Sequence, residues 1–281
     1  MLGRERIQYK SVDQVRLMRQ AGLVVGQTLE LVRRTIRAGL STKDLDVLAE
    51  EHIRAARAVP SFFGYHGFPA TLCVSVNDEI VHGIPGPRVL RDGDLVSVDC
   101  GAIVAGWHGD GAISVIIGSP DPADEHLVAT TQEAMWRGIA ALRVGGRLHE
   151  VGSAVESLVE SRADEDGSLG SQGYGIVEEY VGHGIGTAMH QDPQVPNYRV
   201  RDKGVRVRAG LVVAIEPMLT RGDAATRVLD DEWTVVSADG SRAAHFEHTV
   251  AVGEQGLWVL TALDGGQHDL ARLGASYAPL D

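Results

Sequence analysis

Cysteine is almost missing from this chain of 281 residues, which has only Cys73 and Cys100. Two thiols without zinc-type spacing exclude a disulfide framework and a thiolate metal site, so both read as reduced. Long apolar runs are missing too, and none reaches the roughly 18 residues needed to span a bilayer. The start, Met1-Leu2-Gly3-Arg4-Glu5-Arg6, has no apolar h-region, so no signal peptide is expected. Basic residues are in deficit, 26 against 38 acidic, giving a net charge of −12. That balance argues against a nucleic-acid-binding surface and reads as an acidic exterior. Linker-like composition is confined to residues 163–173, a surface excursion. The length suits one domain or an intimate pair of half-domains.

What is present is a repeated motif. Arg91-Asp92-Gly93 leads into Asp94-Leu95-Val96-Ser97-Val98-Asp99, and Arg208-Ala209-Gly210 into Leu211-Val212-Val213-Ala214-Ile215-Glu216. Each is a turn followed by an apolar strand ending on a carboxylate. A lone buried carboxylate is prohibitively costly, so a strand of this kind implies a partner, and a metal ion is the strongest candidate. The duplication continues in order. Arg37-Ala38-Gly39-Leu40-Ser41 and Arg143-Val144-Gly145-Gly146-Arg147 each read as a helix ending at a glycine before a second helix, with Ser41 and Asp44 forming a capping box. His82-Gly83-Ile84 matches His183-Gly184-Ile185. A period slightly over 100 residues suits two fused halves rather than a solenoid.

Each half supplies a second acid. Ala105-Gly106 reads as a hairpin turn that folds Asp110 back towards Asp99, with the register left open. Glu247 lies inside the strand pattern 243–252. Taken singly these acids read as turn or surface residues, and His82 and His190 as ordinary polar ones; joint order and spacing give them weight. Asp99, Asp110, Glu216 and Glu247 cannot all stay ionised together without cations. With His183 as the imidazole, the oxygen-rich set suits Mn, Fe or Co, and bridging carboxylates could hold two ions. Gly182 and Gly184 would let the backbone pass close to a ligand.

These residues, together with Asn77 to Pro85, Gly182-His183-Gly184-Ile185-Gly186 through Tyr198, Ile215-Glu216-Pro217-Met218 and Glu247-His248-Thr249, resemble methionine aminopeptidase of the bacterial type I class. The opening Ile7 to Gly22 is similar to that family's first helix, and the resemblance runs from about residue 7 to about residue 262. It implies an α+β fold of pseudo-two-fold, "pita-bread" type, an antiparallel sheet covered by two related helix pairs. The single catalytic domain would comprise halves of about 12–118 and 122–262, with a tail at 264–281 that has no counterpart. It also implies a cytoplasmic monomer that removes initiator methionine from nascent polypeptides when the second residue is small, a hydroxide held between two divalent ions attacking the first peptide bond. The ions would be Co, Mn or Fe, with Zn and Ni as further options.

Carried over residue by residue, Asp99 would chelate one metal, His183 and Glu216 would bind the other, and Asp110 and Glu247 would bridge. His82 would assist proton movement at the scissile bond, and His190 would steady the oxyanion. Tyr65, Phe68, Cys73, Met189 and Trp233 would line the methionine pocket, with Phe62 at its edge. Thioether–aromatic contacts favour such walls by about 0.3–1.5 kcal/mol. A transient ribosome contact would need a local basic patch, for which Arg4, Arg6, Lys10, Arg16 and Arg19 are candidates; no membrane or specific nucleic-acid partner is expected. Cys100-Gly101 after Asp99, and Gly111-Ala112 after Asp110, are plainer than the family pattern, so tuning of the metals would differ. Two other readings stand: an Xaa-Pro aminopeptidase or prolidase on the same fold, and a non-catalytic binding module.

Overall fold

A computed structural model of the chain describes residues 7–163 and 173–280. Arg4 and Arg6, and residues 164–172 of the expected surface excursion, lie outside the described residues. Ser11 opens helix α1 (Val12–Thr35) with a capping box to Gln14, and Ser41 opens α2 (Thr42–Ala55) with the expected box to Asp44. Val15, Met18, Gly22, Val25, Leu29 and Val32 recur at helical spacing and form the buried face of α1. A second pair, α3 (Pro122–Ala141) and α4 (Glu150–Ala163), packs helix on helix in the second half of the chain.

The glycines expected to cap α1 and α3 have a different task. α1 stops at Thr35 and α3 at Ala141, short of Gly39 and Gly145. Both glycines are left-handed, with φ 91° and 84°, but neither N–H bonds back to its own helix. Gly39 N donates to Leu90 O and Gly145 N to Val207 O, each at 2.9 Å. Leu90 and Val207 immediately precede the two basic-Xaa-Gly turns. The two helix pairs are therefore anchored by the same contact to the two strands that end on acids.

The nine strands of the main sheet are β1 (Val59–Pro60), β2 (Leu72–Val76), β3 (Leu95–Val104), β4 (Trp107–Ile116), β5 (Gly182–Gly184), β6 (Gln191–Val195), β7 (Val212–Ile215), β8 (Glu247–Val252) and β9 (Leu257–Val259). Their order is β1-β3-β4-β8-β7-β5-β6, with β2 paired to β3 and β9 to β8, all antiparallel. The β4–β8 seam joins the chain's two parts at the centre of the sheet. The expected single strand over 243–252 is broken at Phe246. Ala243–His245 pairs with Met218–Thr220 in a separate small sheet, and β8 starts at Glu247. Phe246, at the break, is buried in the core beneath α3.

One core lies between α1, α2 and strands β2 and β3; another lies between α3, β7, β8 and the tail. Helix α1 touches strand backbone directly, because a Cβ on Gly22 would come within 2.2 Å of Leu260 O, and one on Gly109 within 2.7 Å of Gly22 N. That contact fixes the depth of the strand carrying Asp110. The tail folds back: α5 (Gln267–Arg272) buries Leu270, Tyr277 bridges Leu257, and Arg272 pairs with Glu133 of α3 at 2.7 Å. Among the described residues no helix is long and apolar enough to cross a membrane.

Two residues offered as a basic patch are spent inside the fold. Lys10 is buried beside Gln191, with burial drawing its pKa down to about 8. Arg19 donates to the carbonyls of Leu260 and Ala262, each at 2.6 Å.

Candidate metal centre

The Ala105-Gly106 turn closes the β3–β4 hairpin and sets its register: Asp99 opposes Ala112, and Asp110 opposes Gly101. The two acids are thus not directly opposed. Residues opposite one another in a sheet share a face, as do residues two apart on a strand. Asp99 and Asp110 therefore lie on one face, a diagonal step apart. Ala112 also opposes Glu247, the first residue of β8. Asp99, Ala112 and Glu247 form a row across three strands, and the uncharged member is the smallest. His248 opposes Ile215, so Glu247 and Glu216 emerge side by side from β8 and β7.

His183 arrives from β5. A Cβ on Gly182 would come within 2.4 Å of Ala214 O, and one on Gly184 within 2.2 Å of Asp192 O. The flanking glycines thus admit the neighbouring strands rather than a ligand, which corrects the expectation drawn from sequence. His183 Nδ1 donates to Gly184 O at 3.0 Å, which leaves the Nε2 lone pair facing Glu216 Oε1 at 3.4 Å. Burial, then His190, pushes the His183 pKa to about 3, so the ring is neutral and the contact is no ion pair. Two electron-pair donors are aimed at a common point.

The acids tell the same story. Burial raises Asp99 to about 7, although its contacts with the Cys100 N–H and with Asp110 pull the other way. Asp110 is raised well above the usual range by burial, then by Asp99 and Glu216; Glu247 is raised by burial, then by Asp110, Glu216 and Asp99. Glu216 is raised by burial and then Asp99. One sealed oxygen on each of Asp99, Asp110, Glu216 and Glu247 has no hydrogen-bond partner among the described residues. Asp110, His183 and Glu247 bring donor atoms within 4.8 Å of one another. Unpartnered buried carboxylate oxygens around a neutral imidazole are the donor set of a hard or borderline divalent cation.

Beside the acids lies an apolar pocket. Phe62, Phe68, Ala70, Cys73 and Met189 are buried together, with Tyr65, Ile84 and Trp233 packed against them. Phe62, expected at the edge, is a buried member. Phe68 meets Trp233 edge-on at 5.0 Å. Cys73 opposes Asp99 across β2 and β3, so the pocket wall adjoins the first acid. Cys100, on the other face, is fully buried.

His190 is exposed, held by a 2.8 Å hydrogen bond between Nδ1 and Tyr65 Oη, with its ring 4.4 Å from that of His183. His82 adopts φ 61°, a strained value for a residue with a side chain, held because Gly83 is bound on both sides, to Val74 N and Ser75 Oγ. Its ring meets Tyr180 at 5.5 Å, and burial followed by His190 lowers its pKa to about 4. A cleft of about 430 Å³ lined by His82, Tyr180, His183, His190, Gln191 and Glu216 opens this region to solvent. A larger hollow of about 870 Å³ near Tyr9 and His149 holds none of the five expected ligands.

The family model for metallopeptidase family M24 matches residues 16–254. The chain belongs to that family. Methionine aminopeptidase 1 of Mycobacterium tuberculosis is 48% identical over 260 residues, covering 92% of this chain and 96% of its own. The solved methionine aminopeptidase of Thermotoga maritima superposes with a TM-score of 0.86 at 39% identity, covering 92% of this chain and 100% of the other. The M24 chain therefore has the pita-bread fold and is a metallopeptidase that binds divalent metal. The prolidase of Pyrococcus furiosus shares the fold only, with a TM-score of 0.67 at 18% identity, and this chain spans 65% of its length.

Three residues beside these acids were given no role of their own from sequence. Thr249 Oγ1 accepts from Asp110 N at 3.0 Å and donates to Asp110 O at 2.8 Å, locking β4 to β8 beside both acids. Asn197 donates to Glu216 O at 3.2 Å. His245 comes within the same 4.8 Å compass of Glu216 and Glu247. Thr249 and His245, each two residues from Glu247, could have been found by counting along the strand; Asn197 could not.

Proposed function

We propose that this chain is a type I methionine aminopeptidase that removes initiator methionine from nascent polypeptides whose second residue is small. The observation that carries the reading is the junction of the five-donor centre with the pocket of Phe68, Cys73, Met189 and Trp233. An apolar, aromatic and sulfur-bearing pocket suits a thioether side chain. Two divalent cations would be held by Asp99, Asp110, His183, Glu216 and Glu247, supplying charge stabilisation and an activated water when bound. Glu216 stands among the catalytic residues on the strength of its position beside His183.

The chain's own groups do the rest. The pocket orients the substrate by its methionine side chain. His190, steadied by Tyr65, donates to the carbonyl oxygen as charge develops there. His82, kept neutral by burial with a pKa of about 4, hydrogen-bonds on the amide-nitrogen side and relays protons there. The Xaa-Pro reading has only a shared fold in its support, and a non-catalytic module is at odds with the full donor set.

Cytoplasmic location and a monomeric state belong to the same proposal. So does the division into halves of 12–118 and 122–262, supported by the matched Gly39–Leu90 and Gly145–Val207 contacts. A ribosome contact remains a proposal resting on Arg16, with Arg4 and Arg6 outside the described residues. One assay tests the main reading: release of free methionine from Met-Ala-Ser against Xaa-Pro peptides, with metal measured on the same sample. Methionine release with two ions per chain is expected, and cleavage of Xaa-Pro peptides alone would overturn it.

A further inference from the structure

His245 is a buried imidazole with no assigned work. It is 2% exposed, and its Nε2 is sealed from solvent with no hydrogen-bond partner among the described residues. Leaving a buried polar atom unpaired costs about 1–3 kcal/mol, so such an atom in a folded enzyme calls for a reason.

The backbone around His245 is firmly placed. His245 N donates to Ser114 Oγ at 2.9 Å, and Ser114 Oγ donates back to His245 O at 2.9 Å. Ser114 is braced in turn by Ser97 Oγ at 2.9 Å. One serine of β4 thus supplies both hydrogen bonds that a neighbouring strand would normally give. Phe246, the next residue, is buried in the core at the break between the two strands, with His245 ending one and Glu247 starting the other. Across the chain, Met218 opposes His245 while Glu216 lies beside Glu247. A ring nitrogen of His245 and carboxylate oxygens of Glu216 and Glu247 consequently lie within 4.8 Å of one another, and Glu216 Oε1 and Glu247 Oε1 are themselves unpartnered.

We propose that His245 is a positioning residue of the metal centre, donating a ring N–H to the carboxylates of Glu216 and Glu247 and so selecting which of their oxygens face the cations. The proposal rests on the reading that the five donors hold cations. A carboxylate can rotate and present either oxygen. Asn197 fixes the main chain of Glu216 but not its side chain, so a donor at the carboxylate itself is the missing restraint. Loss of such an outer partner typically weakens metal affinity by about 10–100-fold.

The test compares His245→Gln, which keeps an N–H donor, with His245→Phe, which keeps the ring volume and removes both nitrogens; His245→Met replaces Phe should that variant not fold. Manganese(II) affinity is read by competition with a fluorescent chelator, and the metal-free proteins are melted alongside. The expected result is about 10–100-fold weaker Mn(II) binding in the Phe variant and near-native binding in the Gln variant. The metal-free Phe variant should melt no lower than wild type, because its change removes an unpaired nitrogen. Equal losses in both variants would make His245 a ligand or a packing residue and overturn the proposal. Unchanged affinity in both would overturn it too. The two-cation reading fails separately, by a wild-type stoichiometry other than two, and wild type that binds no Mn(II) at all overturns both.

Discussion

Acidifying the protein from pH 8 to 6 should strip its cations far more steeply than a surface carboxylate site would allow. The reason is the crowding of four acids on one sheet face. Asp99 is held at about 7 by burial, and Asp110, Glu216 and Glu247 are also raised well above the usual carboxylate range, by burial and then by neighbouring carboxylates. At neutral pH the metal-free centre therefore carries protons, and a cation binds only by displacing them. Each displaced proton makes apparent affinity change tenfold per pH unit, about 1.4 kcal/mol. With the Asp99 proton released, and more from the other raised acids, affinity should fall at least tenfold for each unit below pH 7. His183 adds nothing to this slope, since burial keeps it neutral with a pKa near 3.

The stability of the metal-free protein carries the opposite sign. A carboxyl raised from 3.8 to about 7 stabilises the fold fully below its unfolded value. That contribution, roughly 4 kcal/mol for Asp99, is lost as pH rises through 7. Buried histidines such as His82, His108 and His248, all near 4, act the other way, becoming favourable as pH rises towards 6.5. They contribute alike to both forms and cancel in the comparison. The gap in melting temperature between loaded and metal-free protein should thus widen from pH 6 to 8. Titration calorimetry in two buffers of different ionisation heat counts the protons directly. Affinity that is flat between pH 6 and 8, or a count below one, would refute the argument.

Asp110→Asn or Glu247→Gln should lower turnover by several orders of magnitude with the fold intact by circular dichroism, and near-native turnover in a fully metallated variant would remove the bridging role. His190→Ala should keep the metal stoichiometry while kcat falls about 10²–10³-fold, and His82→Ala about 10²–10⁴-fold. Elemental analysis beside steady-state kinetics separates these from loss of a ligand. In the tail, Leu270→Ala should destabilise the protein by about 2–5 kcal/mol in urea unfolding, because the side chain is fully enclosed beneath α3, and an unchanged midpoint would mean that the tail is not integral to the core.

Much of this protein was legible in one dimension because its signals are local. Ser41 with Asp44 declares a helix start, and Ala105-Gly106 a tight turn, through contacts spanning only a few residues. The repeated strand ending on Asp99 and then Glu216 announces buried charge, because an apolar strand cannot carry an unpaired acid. Tertiary structure decided what depends on register and depth. Asp110 could have faced Asp99 directly; the pairing of Asp110 with Gly101 and of Ala112 with both Asp99 and Glu247 is set by ten residue pairs of hairpin and by the seam with β8. Gly39 and Gly145 read as helix caps, but their N–H groups bond to Leu90 and Val207, the residues just before the two basic turns. Lys10 and Arg19 looked like surface charge and proved to be internal fasteners. Asn197 lay inside a quoted motif but its task was not legible, since its side chain holds a carbonyl 19 residues away. Composition and periodicity report what a residue prefers, whereas the partner that satisfies it comes from another part of the chain, brought there only when the sheet closes.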